Sequence, residues 1–221
     1  MAKRKREEPE PEDDRPWTEA QWEAFMKRSD LRSARFGELL ETLIDDPDRD
    51  AKIDHEMGWE KAEDDDHDFA VEMPDLDETE RAEIEEQIEE EDRQLELIPG
   101  YAMACELGHR CGELLKPLMS DELKSEEVAE AVGSAFIGSH IAGAKIAGGH
   151  GMGYADDVLC GNIVNNRRAL EGAKQGLSGW QAIREMGLLP PAVADPIIAQ
   201  HVKLQQLIEE RIVELRKRVW W

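Results

Sequence analysis

Aromatic residues make up only 5% of this 221-residue chain, cysteines number three, and 51 acidic side chains outnumber 27 basic ones. So few thiols, and an odd number of them, do not make a disulfide framework; they point to reduced cysteine and a cytoplasmic setting. A secretion signal is not expected either, because Lys3-Arg4-Lys5-Arg6 runs straight into Glu7-Glu8-Pro9-Glu10-Pro11-Glu12 with no apolar stretch between. The net charge of −24 repels phosphates, and no local basic stripe outweighs it, which argues against direct nucleic-acid binding. What the chain does have is a 40% hydrophobic content that is concentrated rather than spread.

Charge divides the sequence in two. Residues 1–98 hold 36 acidic and 14 basic side chains, a net of −22, while residues 99–221 hold 15 and 13, a net of −2. Fifteen of the 17 glycines and all three cysteines, Cys105, Cys111 and Cys160, fall after residue 98. The expected architecture is all-α: a near-neutral helical bundle over 99–221, preceded by an acidic, partly disordered arm over 1–98 that carries short amphipathic helices and linker.

In the arm, residues 1–16 combine proline with charge and cannot bury enough surface to offset the entropy of ordering. From Thr18 the pattern turns helical. Thr18 and Gln21 have capping-box spacing, Trp22, Phe25 and Met26 share one side, and Asp30 reads as the cap of a second helix with Phe36, Leu39, Leu40, Leu43 and Ile44 as its stripe. Residues 46–56 approach the alternation of a calcium loop through Asp46, Asp48, Asp50 and Ile53. Ala51 stands where the loop needs glycine and Met57 where it needs an acid, so a solvated acidic loop is the preferred reading. Residues 64–68 read as linker. Asp77 should cap a helix over 78–98 with Ile84, Ile88, Leu95 and Ile98 apolar and glutamate nearly everywhere else.

The neutral half begins with a helix over Tyr101–Leu115, with Ala104, Leu107, Cys111, Leu114 and Leu118 at helical spacing. Ser125 caps the next. A third starts at Asp156 or Asp157, Ser178 and Gln181 suggest a further short helix ending at Gly187, and Asp195-Pro196 reads as the start of the last. In that last helix Ile198, Gln205, Ile212 and Val219 recur every seven residues, interleaved with His201 or Val202, Ile208 and Leu215, as in a helix–helix seam. The seam either closes the bundle or pairs two chains, and a homodimer is the expectation. Between residues 131 and 153 glycine falls at every fifth position, 133 to 153. Five residues turn a helix through 500°, so these glycines share no face, and each interior one costs roughly 0.8–1 kcal/mol that enclosure must offset. A buried central helix fits better than a membrane span, since Ser134, Ser139, His140 and Lys145 interrupt the run.

Two constellations carry chemistry. Cys105 and His109 share a helical face, and Glu106 with His109 has the Glu-x-x-His spacing of carboxylate-bridged metal bundles; a single such pair is weak, and a buried thiol beside a histidine is the simpler reading. His140, Lys145 and His150 lie in the glycine segment, where Asn162, Asn165, Asn166, Arg167 and Arg168 of an antiparallel neighbour would join them around an anionic cofactor or substrate. The sequence therefore favours a non-enzymatic interaction or adaptor protein without a cofactor. Its acidic arm would recruit a basic protein partner through Trp17, Trp22, Phe25 and Phe36, away from membranes. The alternative is a helical-bundle enzyme or metal or cofactor carrier with its site near residues 133–153.

Overall fold

The computed structural model describes residues 15–59, 77–119 and 125–221. Among them every regular element is helical: α1 (Glu19–Thr42), α2 (Arg49–Met57), α3 (Glu78–Glu96), α4 (Tyr101–Leu115), α5 (Glu126–Met152), α6 (Asp156–Glu185) and α7 (Pro191–Arg216), with a 3₁₀ turn at Lys116–Leu118. The expected linker at 64–68, and residues 1–14 of the stretch 1–16 expected to be disordered, lie outside the described residues. The chain forms two compact units, one of residues 21–92 and the other containing 93–221 together with the segment up to Ala20.

In the 21–92 unit, α1 runs through Asp30 without a break, so Asp30 is not a cap. No glycine or proline lies between Glu19 and Phe36 to end the helix, and a capping side chain acts only where a helix begins. Residues 49–57 are helix rather than metal loop, and Asp46 spends its oxygens locally, on Lys52 Nζ at 2.5 Å and the Asp48 amide at 2.9 Å. That Lys52 ammonium holds the Asp46 carboxyl below its usual range. Gly58, in the left-handed region at φ 68°, ends α2 and lets the Trp59 amide reach the Asp54 carbonyl at 2.7 Å. Leu39 and Ile53 are buried here, Arg35 bridges to Glu56 at 3.2 Å, and Phe36 packs on Trp59.

The capping box at the start of α3 is complete. Asp77 Oδ1 accepts from the Thr79 and Glu80 amides at 2.8 and 2.9 Å, and Glu80 Oε2 in turn accepts from the Asp77 amide at 2.8 Å. Because α3 buries none of its residues, this local bonding matters more than packing. Asp77→Ala is expected to weaken α3 by about 1 kcal/mol, seen as roughly fivefold faster amide exchange over residues 80–90, with α4–α7 unaffected.

The second unit is an antiparallel bundle of α4–α7. Ser125 caps α5 by accepting from the Val128 amide at 3.3 Å, and Gly153, at φ 95°, ends it. The two central helices, α5 and α6, touch backbone to backbone: a Cβ on Gly138 would lie 2.1 Å from the Gly176 nitrogen, one on Gly179 2.3 Å from the Ala135 nitrogen, and one on Gly172 2.0 Å from an Ile141 methyl. Enclosure thus repays the glycine cost, although the fivefold repeat is not a stripe: Gly138 is in this seam, Gly143 faces Cys105, and Gly133 faces open space. The expected break at Ser178 does not occur. Gly172, Gly176 and Gly179 lie four and three apart on α6, and only a continuous helix aligns all three with α5.

The last helix starts at Pro191, and Pro196 lies inside it, so the Asp195-Pro196 start is corrected. Pro190 is held in an extended conformation (ψ 143°) by the proline after it, which sets the boundary upstream. Asp195 instead accepts a hydrogen bond from Arg184. Between His201 and Val202 the structure selects His201: the buried stripe is Ala194, Ile197, His201, Leu204, Ile208, Ile212 and Leu215, while Val202 is exposed. Among the described residues, no helix is long and apolar enough to cross a membrane.

Candidate functional site

The polar groups nearest to catalytic geometry lie in the bundle's centre, where Cys111 of α4, Ser139 of α5, Trp180 of α6 and His201 of α7 meet, all fully buried. Ser139 Oγ lies 3.0 Å from His201 Nε2, 2.6 Å from the Ala135 carbonyl and 3.3 Å from Trp180 Nε1. Proton accounting assigns the roles. An indole nitrogen only donates, and a carbonyl only accepts, so the Ser139 hydroxyl gives its one proton to Ala135 and accepts from Trp180; His201 Nε2–H is then the second donor. The imidazole is therefore not a base toward this serine, and the pair is a structural tie between α5 and α7 rather than an activated nucleophile.

Burial drives the His201 pKa down to about 4, against a smaller opposing pull from the Ala173 carbonyl. Its Nδ1 has no hydrogen-bond partner. Burial likewise pushes the Cys111 thiol up, with Ser139 and Trp180 in hydrogen-bonding reach. Such a thiol is unreactive. Gly176 makes room for this arrangement, since a Cβ there would meet His201 Cε1 at 2.4 Å.

The glycine-rich end of α5 meets asparagines of α6. Asn162 donates to the Gly153 carbonyl at 2.9 Å, Asn165 to Met152 Sδ at 3.1 Å, and Asn166 to Asn162 Oδ1 at 2.9 Å. A Cβ on Gly149 would sit 2.9 Å from Asn162 Oδ1, so glycine is what admits the amides. The three expected ligand residues separate, however. His140 is exposed, bonds its own helix at the Phe136 carbonyl (2.7 Å) and faces Gly108 and Gly112 of α4. His150, ten residues or about 15 Å further along α5, bonds Tyr154 at 2.8 Å, and Lys145 is half-buried between them. Arg167 turns to Glu19 instead. Cys105, Glu106 and His109 are all exposed on α4, with Glu106 near Arg110 at 4.0 Å. Among the described residues no three metal-type side chains converge.

The aromatic residues of the arm differ in their surroundings. Trp22 and Phe25 stack edge to face at 5.9 Å, with Phe25 exposed, whereas Phe36 is half-buried against Trp59, whose other neighbour is Arg32, 5.4 Å from the ring centre. Trp17, 41% exposed, belongs to the bundle unit. No family model, no curated protein and no solved structure matches this chain.

The buried Ser139–His201 tie escaped the sequence reading because nothing local marks it: 62 residues separate the pair. The α6 glycines were legible in principle, at the four-residue spacing through which helices approach closely.

Proposed function

We propose that the protein is a non-enzymatic interaction or adaptor protein whose acidic arm recruits a basic protein partner. One observation carries this reading: two long helices hold most of the arm's described residues, yet α1 buries only Leu39 of its 24 residues and α3 none of its 19. Most helical stability in proteins comes from burying an apolar face, and these two helices bury almost none. Exposed on these elements are Leu31, Phe25, Ile84 and Ile88, interleaved with carboxylates. Apolar anchors supply affinity while the surrounding charge speeds the encounter with a basic surface. The bundle, by contrast, keeps its Ser–His pair enclosed and its serine proton committed, which supports a scaffold role over a catalytic one.

The test uses the full chain. Partner capture by the parent is compared with that by Trp22→Ala/Phe25→Ala and by a variant with Glu83, Glu86 and Glu90 changed to Gln. Capture should fall about tenfold in the first, at all salt concentrations, and depend less steeply on salt in the second. Equal capture of the same partners by all three chains would remove the arm as the recruiting element.

A further inference from the structure

α1 is one continuous helix, but its first two residues, Glu19 and Ala20, belong to the bundle unit and the rest, from Gln21 on, to the other. Two helices of the bundle grip Glu19. Arg216 of α7 donates to both carboxylate oxygens, Nε to Oε1 at 2.8 Å and Nη2 to Oε2 at 2.7 Å, and Arg167 of α6 approaches Oε2 at 3.5 Å. The Arg216 bonds hold the Glu19 carboxyl below its usual range, so it is charged in this grip. Forked guanidinium–carboxylate pairs are among the stronger ones. Both arginine side chains are nonetheless nearly half exposed, at 44% and 48%, so water and other ions reach the pair and a competitor can break it.

Two other groups depend on this grip. Cys160 lies two turns before Arg167 on the same side of α6. It is only 2% exposed although it stands outside the bundle's continuous core, and the Glu19 backbone is within hydrogen-bonding reach of its sulfur. The start of α1 therefore covers this thiol, and its accessibility reports whether Glu19 is in place. Trp22 lies three residues after Glu19 on the same face of α1. That face is the sheltered one: Glu19, Trp22, Glu23 and Met26 are half-buried, while Ala20, Gln21, Ala24 and Phe25 are exposed.

We propose that Arg167 and Arg216 act as an internal stand-in for the basic partner, latching α1 through Glu19 until the cations of a partner displace them. The latch rests on the reading of the arm as the recruiting element and regulates that same site. A basic partner with an apolar surface seeks a carboxylate beside an aromatic anchor, and Glu19 with Trp22 is such a pair. In the latched form the carboxylate is held by the chain's own guanidinium groups and the tryptophan is half sheltered. The arginines are tethered, so they compete at a high effective concentration. Apparent affinity for a partner is then reduced by the fraction of chains in which the latch is open, and a partner that engages both Glu19 and Trp22 opens it where a single cation does not.

The experiment has two readouts on the full-length chain: binding of a fluorescein-labelled amphipathic helical peptide made of lysine and leucine, and the rate at which a maleimide labels Cys160 in a Cys105→Ser background. Arg167→Gln/Arg216→Gln, which keeps every carboxylate of the arm, should bind the peptide roughly tenfold more tightly than the parent, as for a latch open in about a tenth of parent chains. Lys174→Gln/Lys203→Gln, which removes the same charge at exposed positions of α6 and α7, should change binding by less than about twofold. In the parent, the peptide should speed Cys160 labelling severalfold while Cys111, fully buried in the core, stays unlabelled. That readout leaves the clamp residues intact and so stands even if the double arginine variant does not fold. A Trp22→Ala/Phe25→Ala chain that binds the peptide as well as the parent removes the recruiting reading, and the latch with it. If that chain binds more weakly but Arg167→Gln/Arg216→Gln binds like the parent, the latch alone is overturned. An equal gain in the lysine control overturns it too, as does Cys160 labelling that the peptide leaves unchanged or that rises only together with Cys111.

Discussion

Gly138→Ala is expected to destabilise the bundle by about 2 kcal/mol or more, while Gly133→Ala, five residues away on the same helix, stabilises it by about 1 kcal/mol. Helix propensity is the same favourable term in both, roughly 0.8–1 kcal/mol for replacing an interior glycine by alanine. Space decides the sign. At Gly133 nothing lies within 4 Å of the added methyl, whereas at Gly138 the methyl would meet the Gly176 nitrogen at 2.1 Å, its Cα at 2.5 Å and the Gly172 carbonyl at 2.7 Å. These are backbone atoms and cannot swing aside, so α5 and α6 must move apart. Overpacking costs about 1–3 kcal/mol, occasionally more, and the separation would also stretch the Trp180 bond to Ser139. Urea unfolding followed by circular dichroism checks both variants. A Gly138→Ala protein as stable as the parent would mean that the two helices are not in backbone contact.

Acid should weaken the bundle through His201. The group has its ordinary value near 6.5 when unfolded and is held to about 4 when folded. A folded-state value below the unfolded one means that, as pH falls below 6.5, the unfolded chain takes up a proton that the native chain refuses. Stability is therefore full above pH 6.5, falls as pH drops, and levels off below about 4, a loss of about 3 kcal/mol from this group. Carboxylates titrate over part of the same range, so the measured quantity is the difference between parent and His201→Gln, a side chain that can still donate to Ser139. Their stability difference, from denaturant unfolding between pH 7.5 and 4, should shrink by about that amount. Parallel pH profiles would show that His201 is protonated, or reaches water, in the native state.

The helical class, the position of α4, the start of α5, and the Ser125 and Asp77 caps were all legible in the sequence. Each depends on neighbours within one or two turns: a hydroxyl or carboxylate near free amides, an apolar residue every third or fourth place, a glycine where the backbone must turn. Of the candidate site residues, sequence placed His140, Lys145 and His150 in one glycine-rich segment, and the structure shows them spaced along α5 and facing different neighbours. Asp30, Ser178 and Asp195 carry the same local signals as Asp77, yet none of them starts a helix. A helix continues through a potential cap when no residue breaks it and tertiary contacts reward its continuation, as the α6 glycines do beyond Ser178. Tertiary structure alone also decided that His201 rather than Val202 faces inward, that Ser139 serves as its acceptor, and that a methyl has no room at Gly138 but has room at Gly133. The reason is the same throughout: what a side chain, or its absence, is worth depends on the atoms opposite it, and those come from helices far away in the chain.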